Sequence, residues 1–369
     1  NETEESLVII WQDLLGVDKV GVYDNFFELG GHSLLVVQLI SRLQKIDLHL
    51  DIKDIFSDAT IAGISVKLTP TELLYKVPSN GITINTERIT PSMVPLLDFT
   101  QEDIDNVVNN IPDGISNIED MYPLSPLQEG IYFHYLMSDK DEGDPYVLPH
   151  LLSFTDEEER SAFVEALQFV VNRHDVLRTC VINKDLPSPV QVVLREVKLS
   201  VEHLEIEASK DILSELELLM VPGNQWMDVS KAPLLELQSA DDPSTNNYYL
   251  IINQHHLVMD HVGLEKIVVE VEEYLSGNKE DLPETVSYRD FIGHTLHLQE
   301  TNDSASYFQE LLGNIEAPTY PFELSDVQGN GSTIQEAEII LPNSLSKEIR
   351  KVCADLGMSS AVIFHAAYG

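Results

Sequence analysis

Two short runs of this chain hold side chains capable of chemistry. The first is Asp24-Asn25-Phe26-Phe27-Glu28-Leu29-Gly30-Gly31-His32-Ser33-Leu34, in which a serine directly follows a double glycine and a histidine. A serine at the start of a helix meets unpaired N–H groups and the positive end of the helix dipole, which together favour an anion such as a phosphate. Gly30 and Gly31 permit a tight turn and close approach by another body. A capping serine after a glycine turn is the plainer use of the same residues. The second run is His255-His256-Leu257-Val258-Met259-Asp260-His261. Histidines and an aspartate leaving an apolar strand are costly unless they are hydrogen-bonded or functional. Three uses compete. One is a metal site built from His255 or His256 with Asp260 and His261. Another is a set of satisfied structural groups. The third is acid–base work by one histidine, with the aspartate fixing local geometry. Adjacent histidines on a strand point to opposite faces, which disfavours joint ligation of one ion, and no fourth ligand is evident.

The surrounding patterns show what must position these runs. Val36, Leu39, Ile40 and Leu43 recur on one helical face immediately after Ser33, and Leu7, Ile10, Trp11 and Leu14 do the same before it. With short helices expected around Asp51–Phe56 and Thr60–Leu68, residues 1–69 read as a small helical bundle. Residues 70–118 read as a linker, interrupted by prolines at 70, 78, 91, 95 and 112, by the turn signal Ser79-Asn80-Gly81 and by one helix over Gln101–Asn110. A mixed α/β texture follows. Phe163, Leu167, Val170 and Val171 predict an amphipathic helix, Val197, Leu199 and Val201 alternate like a strand, and Tyr248–Ile252 predicts a buried strand leading into His255. A turn-rich stretch over Asp326–Thr333 leads into strand-like Ala337–Leu341.

The 369 residues suffice for two or three domains, and 43 % are hydrophobic, so a sizeable core can be buried. Lys and Arg number 22 against 62 Asp and Glu, a formal charge of −40. Such a surface repels nucleic acid and anionic lipid, so neither is expected as a partner. No apolar run is long enough to span a membrane, and no signal-peptide pattern opens the chain. The two cysteines, Cys180 and Cys353, have no metal-ligand spacing. They fit a reducing compartment, and a cytoplasmic location is expected.

The Ser33 run resembles the phosphopantetheine attachment motif of peptidyl carrier proteins in nonribosomal peptide synthetases. The His255 run resembles the HHxxxDG motif of condensation domains. Two further runs occur in the order that family has them: Tyr122-Pro123-Leu124-Ser125-Pro126-Leu127-Gln128-Glu129-Gly130 and Arg173-His174-Asp175-Val176-Leu177-Arg178-Thr179. The resemblance implies a multidomain chain. An all-α four-helix carrier over 1–69 and a linker over 70–118 would precede a condensation domain over 119–369. That domain would be α/β (α+β), with the chloramphenicol acetyltransferase fold, present as its first lobe and the start of its second.

The resemblance also implies roles. Ser33 would bear 4′-phosphopantetheine as the covalent cofactor, among the motif neighbours Asp24, Gly30, Gly31, His32 and Leu34. His256 would be the catalytic histidine, accepting the proton of the acceptor amine or positioning that amine, because amide formation must remove a proton. His255 would be mainly structural. Asp260 would pair with an arginine, Arg178 in the first instance and Arg173 as the alternative. No metal is expected. A phosphopantetheinyl transferase, an upstream adenylation domain and a downstream carrier domain would be the partners.

Two departures stand out. The motif's final glycine is His261, which would narrow the acceptor channel or add a titrating group. The chain also stops at Gly369, inside the expected second lobe, so a competent carrier with an incomplete catalyst is expected. His134-Tyr135-Leu136 followed by Gly143-Asp144 resembles, imperfectly, the extra signature of dual epimerisation/condensation domains. Ile89-Thr90-Pro91-Ser92-Met93 resembles the same subgroup. The alternatives are a modified carrier beside a non-catalytic docking or scaffold domain, and an acyltransferase acting on a soluble acceptor.

Overall fold

The computed structural model describes the chain except residues 1, 32, 71–74, 139, 141–142, 207–210, 222–223, 243, 316, 318–336, 357, 359 and 369. It divides into two compact units, residues 1–76 with 335–369 and residues 77–334.

In the first unit, the apolar spacing of the N-terminal sequence becomes four helices: α1 (Glu2–Leu15), α2 (Ser33–Gln44), α3 (Ile52–Ser57) and α4 (Ile61–Ser65). Leu7 and Trp11 of α1, Val36, Leu39 and Leu43 of α2, Ile55 of α3 and Ile61 and Ile64 of α4 are buried together around Phe26. Thr60 caps α4 by accepting from the Gly63 N–H at 3.0 Å. A two-residue ladder, β1 (Leu48–His49) with β2 (Thr69–Pro70), closes the bundle.

The second unit is mixed α/β. Its elements in chain order are α5 (Gln101–Asn109), β3 (Ile118–Pro123), α6 (Pro126–Met137), β4 (Val147–Phe154), α7 (Glu157–Arg173), β5 (Thr179–Ile182), β6 (Val190–Leu194), β7 (Val201–His203), α8 (Ile212–Leu219), β8 (Leu235–Asp242), β9 (Asn247–His255), α9 (His261–Leu275), α10 (Tyr288–Thr301) and α11 (Ser304–Leu312). A four-stranded sheet runs β4-β9-β8-β7, with β7 parallel to β8 and the other pairs antiparallel. Alternation along β9 places Leu250 and Ile252 in the core formed with α7 and α9, and Tyr249 and Ile251 in the core formed with α8. Both faces are therefore covered, and β9 is buried from Tyr249 to its end at His255. A smaller antiparallel sheet runs β3-β6-β5.

The stretch expected to be a linker is core instead from Ile82 onward. Ile82, Ile89, Val94, Phe99, Ile104, Val107 and Ile111 are buried against Met121, Cys180, Val190 and Val192 of the smaller sheet. Its prolines and turns are those of a packed strap: the Gly81 N–H donates to the Met93 carbonyl at 2.8 Å, and Asn80 Nδ2 donates to the Glu119 carbonyl at 2.8 Å. The helix expected over Gln101–Asn110 is α5, opened by a reciprocal capping box between Thr100 and Asp103.

The strand expected through Val197, Leu199 and Val201 begins only at Val201. The Gln168 side chain takes the place of a neighbouring strand there. Its Oε1 accepts the Leu199 N–H at 2.8 Å and its Nε2 donates to the Val197 carbonyl at 3.0 Å. Asp326–Thr333 lies outside the described residues. Residues 337–341 are irregular rather than a strand, with Ile339 and Ile340 exposed, and lead to two helices, α12 (Asn343–Leu356) and α13 (Ser360–Tyr368). Among the described residues no helix is long and apolar enough to cross a membrane.

Candidate functional site

The Ser33 loop is built around Phe26. Its ring is fully buried and meets Trp11 edge-on at 4.9 Å. The Phe26 N–H donates to the Ala59 carbonyl at 2.8 Å, and its own carbonyl accepts the Gly31 N–H at 2.9 Å. A Cβ on Gly31 would stand 2.3 Å from the Phe26 ring, so only glycine fits. Gly30 sits at φ +103°, a conformation open to glycine. Asp24 accepts the Gly21 N–H at 2.7 Å and closes the start of the loop. His32 and the side chains of Ser33 and Leu34 lie outside the described residues. The backbone makes Ser33 the first residue of α2, and no acidic side chain occupies that helix's first turn. A phosphate on this residue would meet the positive helix end without a competing carboxylate, so the residues fit the group.

The His255 run leaves the end of β9 and turns into α9. His255 is fully buried. Its Nδ1 accepts the Leu257 N–H at 3.1 Å, so the ring proton is on Nε2, which donates to the buried carboxylate of Asp144 at 3.0 Å. His256 is partly exposed, and its N–H donates to the Tyr146 carbonyl at 2.8 Å. Its Nδ1 lies 2.9 Å from the Met259 carbonyl. A carbonyl can only accept, so Nδ1 carries a proton, and in the neutral ring Nε2 then holds the lone pair. Among the described residues Nε2 has no hydrogen-bond partner. That is the state of a histidine ready to accept a proton.

Asp260 and His261 do not join this pair. Asp260 is the N-cap of α9, accepting the Gly263 N–H at 2.8 Å, and His261 is the exposed first residue of that helix. The arginine pairing expected for Asp260 is replaced. Arg178 is buried and bonded to Glu119 at 2.5 Å and to the Leu194 carbonyl. Arg173 bonds Glu270 at 3.0 Å and the Pro283 carbonyl at 2.8 Å. Each guanidinium is taken by its nearest acceptors, Arg178 in the buried interior and Arg173 at its edge, and Asp260, exposed at a helix start, has the N–H groups of α9 to satisfy it. No group of three or more His, Cys, Asp or Glu arranged to hold a metal occurs among the described residues. Burial pushes the Cys180 thiol up to about 12 and leaves it inert.

The other two motifs brace the histidine loop. Gln128 on α6 caps its own helix with Ser125, exchanges amide bonds with Gln191 at 2.9 and 3.1 Å, and donates to the Leu257 carbonyl at 2.8 Å. His174, like Arg173, bonds Glu270 on α9, at 3.0 Å. Asp175 accepts from Ser287 Oγ and the Tyr288 N–H, each at 2.9 Å, and so fixes the start of α10. Burial pushes the Tyr288 phenol up to about 12. Asp120 and Arg289 form a buried pair at 2.7 and 3.0 Å, in which desolvation outweighs the arginine and raises the carboxyl to about 6.

Sequence reasoning missed Asp144 as a partner of His255, and it missed Glu119, Glu270 and Arg289. Gly143-Asp144 was visible as a dipeptide, but nothing local connects it with a residue 111 positions away. Tyr135, where the extra signature would place a second histidine, stacks on Trp226 at 5.0 Å and meets the His255 ring edge-on at 6.2 Å. His134 tilts against Tyr146 at 6.1 Å.

Residues 118–369 match the condensation-domain family model, and residues 5–65 match that of the phosphopantetheine attachment site. The chain therefore belongs to the condensation-domain family, behind a phosphopantetheine-bearing carrier domain. It is 38 % identical to malpibaldin synthetase of Mortierella alpina over 368 residues, covering 100 % of this chain and 7 % of that protein. It is 26 % identical to gramicidin S synthase 2 of Aneurinibacillus migulanus over 378 residues, covering 100 % of this chain and 7 % of that protein. The chain thus spans less than a tenth of these relatives' length. The condensation domain of the monacolin K polyketide synthase MokA has a similar fold, with a TM-score of 0.50 and 17 % identity over 68 % of this chain and 59 % of that one.

Proposed function

We propose that this chain is the carrier and peptide-bond-forming portion of a nonribosomal peptide synthetase, with Ser33 as the attachment residue and His256 as the catalytic group. The carrier is residues 1–69, and the condensation region takes in the packed strap from residue 77. When bound, the phosphopantetheine arm supplies a thioester on a tether long enough to reach another site. Ser33 holds that tether at a helix end, which keeps the acyl group at high effective concentration. His256 Nε2 accepts the proton that the acceptor amine must lose as the C–N bond forms, and the Met259 carbonyl stabilises the imidazolium through Nδ1–H. The observation that carries this reading is the His256 Nδ1–Met259 bond at 2.9 Å, which leaves the outer nitrogen basic.

The partners we propose are a phosphopantetheinyl transferase, an upstream adenylation domain that loads Ser33, and a downstream carrier bringing the acceptor. The test is a longer synthetase polypeptide that contains this chain together with a downstream carrier. With both carriers loaded, His256→Ala should abolish most dipeptide formation while leaving Ser33 loading intact. An unchanged rate would instead favour a non-catalytic docking domain. Running the reaction in heavy water extends the test: deuterium at the donor Cα, lost in His256→Ala, would identify the dual epimerising subtype.

A further inference from the structure

Asp144 and His255 bury an acid against an imidazole with no solvent at either side chain. A carboxylate so placed is tolerated only when donors meet its oxygens. Asp144 Oδ2 accepts His255 Nε2–H at 3.0 Å and Oδ1 accepts the Tyr146 N–H at 2.9 Å. The main chain of Asp144 is held as well, its N–H donating to the Gln225 carbonyl at 2.7 Å and its carbonyl accepting the Val147 N–H at 3.1 Å. Gly143, at φ +81°, lets the chain turn into this position.

Both oxygens lead to His256. One fixes the His255 ring, whose other nitrogen accepts the Leu257 N–H. The other fixes Tyr146, whose carbonyl accepts the His256 N–H at 2.8 Å. The peptide units on either side of the His256 side chain are thus referred to one buried carboxylate. We infer that Asp144 is a positioning residue for peptide-bond formation: it holds His255 as the Nε2–H tautomer and, through Tyr146 and Leu257, sets the backbone from which His256 reaches the reacting amine. This rests on the reading of His256 as the catalytic group. It also gives the Gly143-Asp144 pair a task in condensation itself, required whether or not the donor residue is inverted.

Asp144→Asn is the discriminating variant, because an amide offers one oxygen where two donors need acceptors. In the synthetase polypeptide described above, Asp144→Asn should lower kcat on the order of a hundredfold. KM for the acceptor carrier and loading of Ser33 should stay unchanged. In the unaltered 369-residue chain, histidine-selective nitrogen-15 spectra should show His255 protonated at Nε2, and Asp144→Asn should move that signature. A wild-type kcat in Asp144→Asn, or a His255 proton on Nδ1 in the unaltered chain, would overturn the inference. The second measurement decides even if the variant fails to fold. His256→Ala run in parallel separates the two claims. If it retains the rate, the catalytic reading fails. If it loses the rate while Asp144→Asn does not, only the role of Asp144 falls.

Discussion

The Ser33 loop and the His255 loop each hold a side chain proposed to react, Ser33 as the first residue of α2 and His256 in the turn before α9, but they are held differently. The Ser33 loop is largely local. Its glycines, its anchor Phe26 and the helix it opens lie within a single run, seated by Phe26 against Trp11 and by the Phe26 N–H on the Ala59 carbonyl. The His255 loop is held from a distance, by Asp144 and Tyr146 just before β4 and by Gln128 on α6, 129 positions from the Leu257 carbonyl it bonds. A residue that must keep one ring nitrogen basic needs its tautomer fixed by the surrounding fold.

The sharpest break of that comparison is Ser33→Ala. Transfer of phosphopantetheine from coenzyme A should be lost completely, as read by intact-protein mass, with the fold of both units unchanged. His256→Ala should leave that mass gain intact and lower dipeptide formation by about 10²–10⁴-fold, the usual range for a positioned base. If both changes abolished loading, the two sites would not be separable.

Phe26→Ala tests how local the first loop is. It should destabilise the first unit by about 3–5 kcal/mol in denaturant unfolding and leave the unfolding of the second unit in place. Gly31→Ala should act in the same direction, since its Cβ would overlap the Phe26 ring and carbonyl. A coupled loss in both units would contradict the independence of the loops.

The buried Asp120–Arg289 pair gives a pH signature. Asp120 is raised from 3.8 to about 6 because burial costs its charged form more than Arg289 returns. The native state therefore holds this proton when the unfolded chain has released it. As pH rises from about 4 to about 6, the contribution falls by a few kcal/mol and then levels. Chemical denaturation of wild type against Asp120→Asn across that window should show wild type losing ground. The opposite slope would mean that the arginine dominates. The smallest effect belongs to Gln128→Ala. Leaving the Leu257 carbonyl and Gln191 Oε1 without their donor should cost about 1–3 kcal/mol, with a lowered condensation rate and normal loading.

Much of this was legible in one dimension. The helical spacing of Leu7 and Trp11 and of Val36, Leu39 and Leu43 predicted the faces that are buried, and the apolar run before His255 predicted β9. Prolines misled where the chain packs as a strap: Ile82, Ile89 and Val94 lie among turn residues whose local pattern says linker, and only the smaller sheet gives them something to cover. Arg178 and Arg173 misled because a motif names a charged side chain without naming its neighbour.

What the sequence determined by itself was the pair of motifs proposed to carry the chemistry, Ser33 after its glycines and His256 after its strand, with the periodic faces that must be buried around them. Those depend on residue type and spacing along a few turns of chain. What only the tertiary structure decided was which partners each polar group has: Asp144 for His255, the Met259 carbonyl for His256, Glu119 and Glu270 for the two arginines, and a helix N-terminus for Asp260. Protonation state and tautomer follow from the nearest donor or acceptor within hydrogen-bond reach. For a buried group, that neighbour is supplied by whichever distant strand or helix the folded core brings alongside.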